Sequence, residues 1–322
     1  NLLEAGRQYQ HSAVLLAAAE LDLFAHANGG ASLTELAGKT GSDPNALRVL
    51  LDALASMQLL LKTRNSYRLA QGLDAFLTSG GRRPVLGMLC HQANCYRSWG
   101  ELARVAKKGV PAPRRPSIRG GQGDVKSFIE AMHNVSTPVA AKVIRGVHPL
   151  SFTRLLDIGG ASGTWTIAFL RACKSSRAVL LDLPQVIPLA RKRLASEDLL
   201  DRVELASGDY NRDRLPSGCD LAWVSAIIHQ NSMEQNLELF RRTHAALSPG
   251  GRIAIRDIVM EKNKVRPEAG ALFAVNMLVN TKGGGTYTFN ETKTALEKAG
   301  FVRVRLARRD SGMNAIIIAE RD

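Results

Sequence analysis

Four aspartates and one histidine fall at the ends of apolar stretches, and their types and positions could do chemistry. His229 directly follows the apolar stretch Leu221 to Ile228, and Asp257 ends the neighbouring stretch Arg252 to Asp257. An imidazole is the natural proton acceptor near neutral pH. A carboxylate on its other ring nitrogen would fix tautomer and basicity, as the acid of a catalytic triad does. A lone histidine here would read as a helix cap or a hydrogen-bonded core residue. The partner at Asp257 and the strand-end position favour catalysis.

The other three acids frame a ligand site. The run Asp157-Ile158-Gly159-Gly160-Ala161-Ser162-Gly163 is a strand end, a glycine-rich turn and a helix start. Glycines at such a turn let the backbone bend sharply and approach a ligand. The spacing is not the G-x-G-x-x-G of dinucleotide sites, whose helix N-terminus receives a pyrophosphate. An acid two residues before the first glycine suits a ligand carrying an ammonium and a sulfonium instead. Asp182 ends the next strand, about 20 residues past the loop, where an acid accepts from ribose hydroxyls. Asp209, in Gly208-Asp209-Tyr210, follows the third strand and could accept from an adenine amino group, with Tyr210 on the ring. A single strand-end Asp is more often a turn residue or cap. Three on successive strands mark the ligand edge of a parallel sheet.

These residues need a sheet to hold them. Arg154 to Ile158, Ala178 to Leu183, Val203 to Ser207, Leu221 to Ile228 and Arg252 to Asp257 read as strands separated by helices. Near-continuous apolar strands in that rhythm predict a parallel sheet covered on both faces. Val302 to Arg308 and Asn314 to Glu320, joined by Asp310-Ser311-Gly312, predict a closing antiparallel hairpin. The expected class is α/β: a Rossmann-like domain with an antiparallel C-terminal hairpin, plus a mainly helical N-terminal winged-helix-like domain. The expected borders are 1–105 for the helical domain, 106–150 for a linker and connecting helices, and 151–322 for the sheet domain.

In the first of these, Ser12 to Phe24 has helical spacing, Ser32-Leu33-Thr34-Glu35 is a capping box, and Asp43-Pro44 opens a helix with Leu47, Leu50, Leu51 and Leu54 on one face. Leu59 to Leu61 and Tyr67 to Leu69 predict a small hairpin. Lys107 to Gly123, with Pro111, Pro113 and Pro116, reads as a loop, and Val125 to Val147 as helix. The helix from Pro44 to Met57 carries only Arg48 as a cation, which argues for dimerisation over reading DNA. A net charge of +14 invites a nucleic-acid partner, but the cations are dispersed and aromatics are only 5%, leaving few stacking platforms. Cys90, Cys95, Cys173 and Cys219 form no C-x-x-C pair, so neither a disulfide framework nor a zinc site is expected, and a reducing cytoplasm fits. No apolar run suggests a membrane span, and no signal-peptide pattern opens the chain.

Glu291 sits in the capping box Thr288-Phe289-Asn290-Glu291 and reads as structural. Met132 and His133 on the connecting helix, and Phe273, Asn276, Met277 and Asn280 on a later one, are candidates for an acceptor pocket. Ordinary core packing is at least as good a reading of each alone.

Together, Leu155 to Gly163, the run Asp182-Leu183-Pro184-Gln185-Val186-Ile187, Gly208-Asp209-Tyr210, His229, the Leu247 to Asp257 stretch with Pro249-Gly250-Gly251, and Gly300-Phe301 resemble the plant caffeic-acid-type O-methyltransferases and their bacterial small-molecule relatives. The resemblance spans nearly the whole chain. It implies a class I S-adenosylmethionine-dependent methyltransferase that releases S-adenosylhomocysteine and uses no metal. It implies a homodimer built through the N-terminal domain. Asp157, Gly159, Gly160, Gly163, Asp182, Leu183, Asp209, Tyr210 and Ser225 form the cofactor set, His229 is the general base, and Asp257 is the acid beside it.

Five positions depart from the family pattern. Ala161 replaces the middle glycine, Gln230-Asn231 the usual Asp-Trp, Ser225 a frequent lysine, and Thr286 a second acid near the histidine. The function expected is methyl transfer to a hydroxyl of a small aromatic or polycyclic acceptor. The alternatives are C-methylation on the same scaffold and a degenerate winged-helix DNA-binding regulator. A dinucleotide oxidoreductase is opposed by the glycine spacing and the terminal hairpin.

Overall fold

A computed structural model describes all residues, 1–322. The chain divides into two compact units, residues 1–100 with 113–134, and residues 101–112 with 135–322. The expected linker region is thus shared out between both units. No helix is long and apolar enough to cross a membrane.

The first unit opens with α1 (Leu2–Arg7), α2 (Tyr9–Glu20) and α3 (Leu23–Ala27). The helix expected from Ser12 to Phe24 is therefore two helices. Asp22 takes a left-handed conformation, φ 54°, that no α-helix can continue through. Next come β1 (Ala31–Ser32), α4 (Leu33–Thr40) and α5 (Pro44–Ser56). The Ser32/Glu35 capping box forms, with Ser32 N donating to Glu35 Oε2 at 2.7 Å. Asp43 accepts from Ala46 N at 2.8 Å, and Gly41 closes α4 at φ 64°. Leu47, Leu51 and Leu54 of α5 are buried as the spacing predicts. The hairpin is β2 (Leu60–Thr63) and β3 (Ser66–Leu69), and β1 joins it in the order β1-β3-β2. Apart from α1, these elements share one core with α6 (Asp74–Leu77) and α7 (Leu86–Trp99), around Phe24, Leu36, Leu51 and Tyr67.

Beyond α8 (Leu102–Lys108), α9 (Gly120–Ile144) runs 25 residues. It starts inside the stretch read as loop, so the irregular segment is shorter than expected.

The second unit alternates β4 (Arg154–Ile158), α10 (Thr164–Ala172), β5 (Arg177–Asp182), α11 (Ile187–Ser196), β6 (Val203–Ser207), β7 (Cys219–Ser225), α12 (Met233–Ala246) and β8 (Leu247–Asp257). There follow β9 (Val259–Met260), α13 (Glu268–Asn280), β10 (Tyr287–Thr288), α14 (Phe289–Lys298), β11 (Val302–Arg308) and β12 (Ala315–Glu320). The main sheet has the order β11-β12-β8-β7-β4-β5-β6. Strands β4 to β8 are mutually parallel, and β12 pairs antiparallel with both β8 and β11. Because the chain starts at β4 and winds first one way and then the other, the crevice lies where β4 meets β7.

Strand alternation sends the two sets of side chains into separate cores. One face packs Trp165, Phe169 and Trp223, with Trp165 and Phe169 at 5.3 and 5.1 Å from the Trp223 ring. The other packs Phe240, Leu296 and Phe301. A two-stranded parallel pairing of β9 with β10 anchors the chain just beyond β8.

Candidate active site

The glycine-rich turn is shaped by packing. Gly159, Ala161 and Gly163 have φ of 67°, 49° and 85°. Gly159 N and Gly160 N both donate to Leu181 O, at 2.8 and 3.2 Å. A Cβ at Gly160 would lie 2.5 Å from Leu180 Cγ, and one at Gly159 2.8 Å from Ile227 Cδ1 and 3.6 Å from Tyr210 Cε1. These glycines therefore admit neighbouring side chains of the protein itself.

Asp182 ties this turn to the end of β5. Its Oδ2 accepts from Ala161 N and its Oδ1 from Leu183 N, both at 2.7 Å. Burial raises its pKa, and the two N–H donors oppose that rise. Each oxygen keeps further acceptor capacity. The Leu183 side chain is exposed. Asp157 differs from the expectation of an acid facing a ligand: it is fully buried and accepts from Thr166 Oγ1 at 2.6 Å, tying the first turn of α10 to β4. Burial pushes it up to about 7. Asp209 accepts from Asn211 N at 2.9 Å and keeps its other oxygen 3.7 Å from Arg212 Nε. Tyr210 is half-buried, and burial pushes its phenol up to about 12.

His229 is four residues beyond β7, not directly after it: the strand ends at Ser225, and the histidine sits in the short 3₁₀ turn Ile228–Gln230. That turn brings its ring to β8. His229 Nδ1 lies 2.9 Å from both Asp257 oxygens, and both side chains are buried. Asp257 also accepts from Ile258 N at 2.8 Å and His229 N at 3.4 Å. With Nδ1–H donating to the carboxylate, Nε2 carries the free lone pair. Phe273 stands edge-on to the ring, centroids 4.8 Å apart.

The turn is clamped by residues that sequence reading did not assign. Asn236, fully buried on α12, donates from Nδ2 to Ile228 O at 2.8 Å and accepts from Asn231 Nδ2 at 3.1 Å. Gly285 N donates to His229 O at 2.9 Å, and Tyr287 Oη to Asn231 O at 2.5 Å. The amide of Asn231 is thus absorbed by a second buried amide. The sequence carries one signal for this clamp, the capping box of Ser232 with Gln235, which starts α12 and sets Asn236 on its inner face.

The remaining candidates disperse. On α13, Met277 is buried, and Asn280 Nδ2 donates to Asn276 O and Oδ1 at 2.9 and 3.0 Å. Met132 and His133 are partly buried and belong to the first compact unit. Ser225 Oγ accepts from Arg256 Nη1 at 3.1 Å. No three His, Cys, Asp or Glu side chains gather as a metal-ligating group.

Comparison with known proteins agrees along the whole chain. Residues 118–302 match the family model of an O-methyltransferase domain, and residues 4–79 that of an O-methyltransferase dimerisation domain. The chain is 29% identical to the tetracenomycin polyketide synthesis 8-O-methyl transferase TcmO of Streptomyces glaucescens, covering 95% of this chain and 92% of that protein. It is 33% identical to the 8-amino-8-demethylriboflavin N,N-dimethyltransferase of Streptomyces davaonensis, covering 92% and 90%. The structure of PigF with S-adenosylhomocysteine superposes with a TM-score of 0.86 at 25% identity, covering 99% and 98% of the two chains.

Asp157 generates a pH test. Its folded-state pKa lies above the ordinary value, so ionisation is disfavoured in the fold, and stability falls as pH rises through the interval between the two. Asp157→Asn keeps an acceptor for Thr166 and removes that slope. Between about pH 5 and pH 8 the wild type should lose on the order of 2–3 kcal/mol more than the variant in urea denaturation. Equal losses would show that Asp157 ionises freely.

Proposed function

The chain belongs to the O-methyltransferase domain family and is an S-adenosylmethionine-dependent methyltransferase, and on that premise we propose that His229 is the general base for methyl transfer to a hydroxyl of a small aromatic or polycyclic acceptor. The observation that carries the reading is the buried, two-oxygen contact between His229 Nδ1 and Asp257.

The residues fit the cofactor on their own chemistry. Asp182 and Asp209 have acceptor capacity left at the ends of β5 and β6 for ribose hydroxyls and the adenine amino group. Ser162, inside the glycine-rich turn, has a buried hydroxyl without a hydrogen-bond partner. Gly159, Gly160 and Gly163 shape the turn, and Leu183 and Tyr210 offer apolar surface beside it. Asp157 acts from underneath by holding α10. When bound, the cofactor supplies an electrophilic methyl group on a sulfonium.

His229 Nε2 takes the acceptor's proton as its oxygen becomes the nucleophile. Asp257 holds the tautomer that leaves Nε2 free, and stabilises the imidazolium that results. Asn236, Gly285 and Tyr287 keep the turn from drifting, since small displacements of a base cost rate steeply. Phe273, Met277, Asn276 and Asn280 on α13 are the proposed acceptor contacts. The aromatic-hydroxyl acceptor is supported by the polyketide-modifying relative. The flavin-amine relative favours a nitrogen acceptor as second reading, and the product's methyl carbon shift in NMR separates the two.

The assembly we propose is a homodimer through the N-terminal unit. Residues 4–79 match the dimerisation domain, and Leu2, Leu3 and Tyr9 on α1 and α2 are exposed while α1 buries no residue. Light scattering should give twice the single-chain mass, and a single-chain mass at micromolar concentration would remove the dimer.

His229→Ala should leave cofactor affinity near wild type and lower turnover by ~10²–10⁴; full activity would place the base elsewhere. Asp182→Ala should abolish or greatly weaken binding of S-adenosylmethionine and S-adenosylhomocysteine in calorimetry, because ribose hydroxyls would lose a charged acceptor. Unchanged affinity would refute the cofactor assignment.

A further inference from the structure

The apolar run of β8 is interrupted by a cation. Ile253, Ala254 and Ile255 lead into Arg256, and all four are buried. Pleating puts Asp257 on the face it shares with Ile253 and Ile255, and Arg256 on the opposite face with Ala254. The guanidinium carbon lies 4.5 Å from the centroid of Trp165, in the first turn of α10. Its Nε and Nη2 donate to Asn314 Oδ1 at 3.0 and 2.8 Å, and its Nη1 to Ser225 Oγ at 3.1 Å.

Every one of these partners is neutral. The two acids that act on Arg256 through space are committed elsewhere: Asp257 to His229, and Asp310 to Arg308 and the N–H groups of Gly312 and Asn314. Burial lowers the guanidinium to about 10, which still leaves it charged at neutral pH. An unpaired buried charge is strongly disfavoured, and a fold that keeps one generally pairs it with an anion.

Position and chemistry name the anion. Ser225 ends β7 and Arg256 is the penultimate residue of β8, both at the C-terminal edge where a parallel sheet takes its ligand. They share the α10 side of the sheet with Asp157 at the end of β4. The cofactor's amino-acid tail carries a carboxylate. The acids that face the cofactor, Asp182 and Asp209, would repel that group rather than bind it. We propose that Arg256, with Ser225 beside it, is the subsite for the carboxylate of the cofactor's amino-acid tail. This rests on the cofactor reading above.

Calorimetry with two ligands tests it. S-adenosylhomocysteine has the carboxylate; S-adenosyl-3-thiopropylamine keeps the adenosine, thioether and ammonium and lacks only that group. Wild type should prefer the first by roughly 10–100-fold, as expected for a charge-assisted hydrogen bond. Arg256→Met should erase the preference by weakening S-adenosylhomocysteine alone, and Arg256→Lys should recover part of it. Without ligand, the Met variant should melt no lower than wild type, since an apolar side chain of similar length relieves the buried charge. An Arg256→Met protein that keeps the wild-type preference overturns the subsite. So does one that loses both ligands and melts lower, which would make Arg256 a structural residue. Wild type binding neither ligand would instead remove the cofactor reading on which the subsite stands.

Discussion

The contact between His229 and Asp257 constrains more of this structure than any other. A buried imidazole and a buried carboxylate tolerate each other only when paired and otherwise hydrogen-bonded. Asp257 spends its oxygens on Nδ1 and on two backbone N–H groups, of His229 and Ile258. To reach that arrangement, the chain leaving β7 must turn through Ala226 at φ 57° and a 3₁₀ turn, then start α12 at once. The carbonyls exposed by the turn find Asn236, Gly285 and Tyr287. α12, the segment around the Gly283-Gly284-Gly285 run and the β9–β10 pairing all serve one imidazole.

The cofactor side is organised by a different economy. Asp182 joins the glycine-rich turn to β5 with two short N–H bonds, so the turn and the ribose position are set by the same carboxylate. The glycines make that possible by admitting Leu180 and Ile227. Acids on one side and a lone guanidinium on the other give the sheet edge a charge gradient. Asp182 ends β5 and Asp209 lies just past β6, while Arg256 stands toward the end of β8. A zwitterionic amino-acid tail next to a sulfonium matches a gradient of that kind better than a uniformly acidic cleft would.

The departures from the family pattern acquire physical meaning in this frame. Asn231 is matched by Asn236, so two amides satisfy each other in a buried space. Ser225 is matched by Arg256, which places a cation on the adjacent strand. Thr286 is buried beside the β10 segment without adding a charge near the histidine. The Asp257 contact remains as the single acid bonded to His229.

Much of this was legible in the sequence because it is local. Strand ends, capping boxes at Ser32 and Thr288, the N-cap at Asp43 and the closing hairpin are written in spacing and in residue types that bond to their own neighbours. The placement of Asp182 and the pairing of His229 with Asp257 followed from one rule, that successive parallel strands present their C-terminal ends together. Tertiary structure decided what periodicity cannot encode. It broke the first long helix at Asp22, carried His229 four residues past its strand, and turned Asp157 toward Thr166 rather than toward a ligand. It also assembled Asn231 with Asn236, and Arg256 with Trp165, Ser225 and Asn314. Those contacts join residues from different elements, and only the packed sheet brings them within bonding distance.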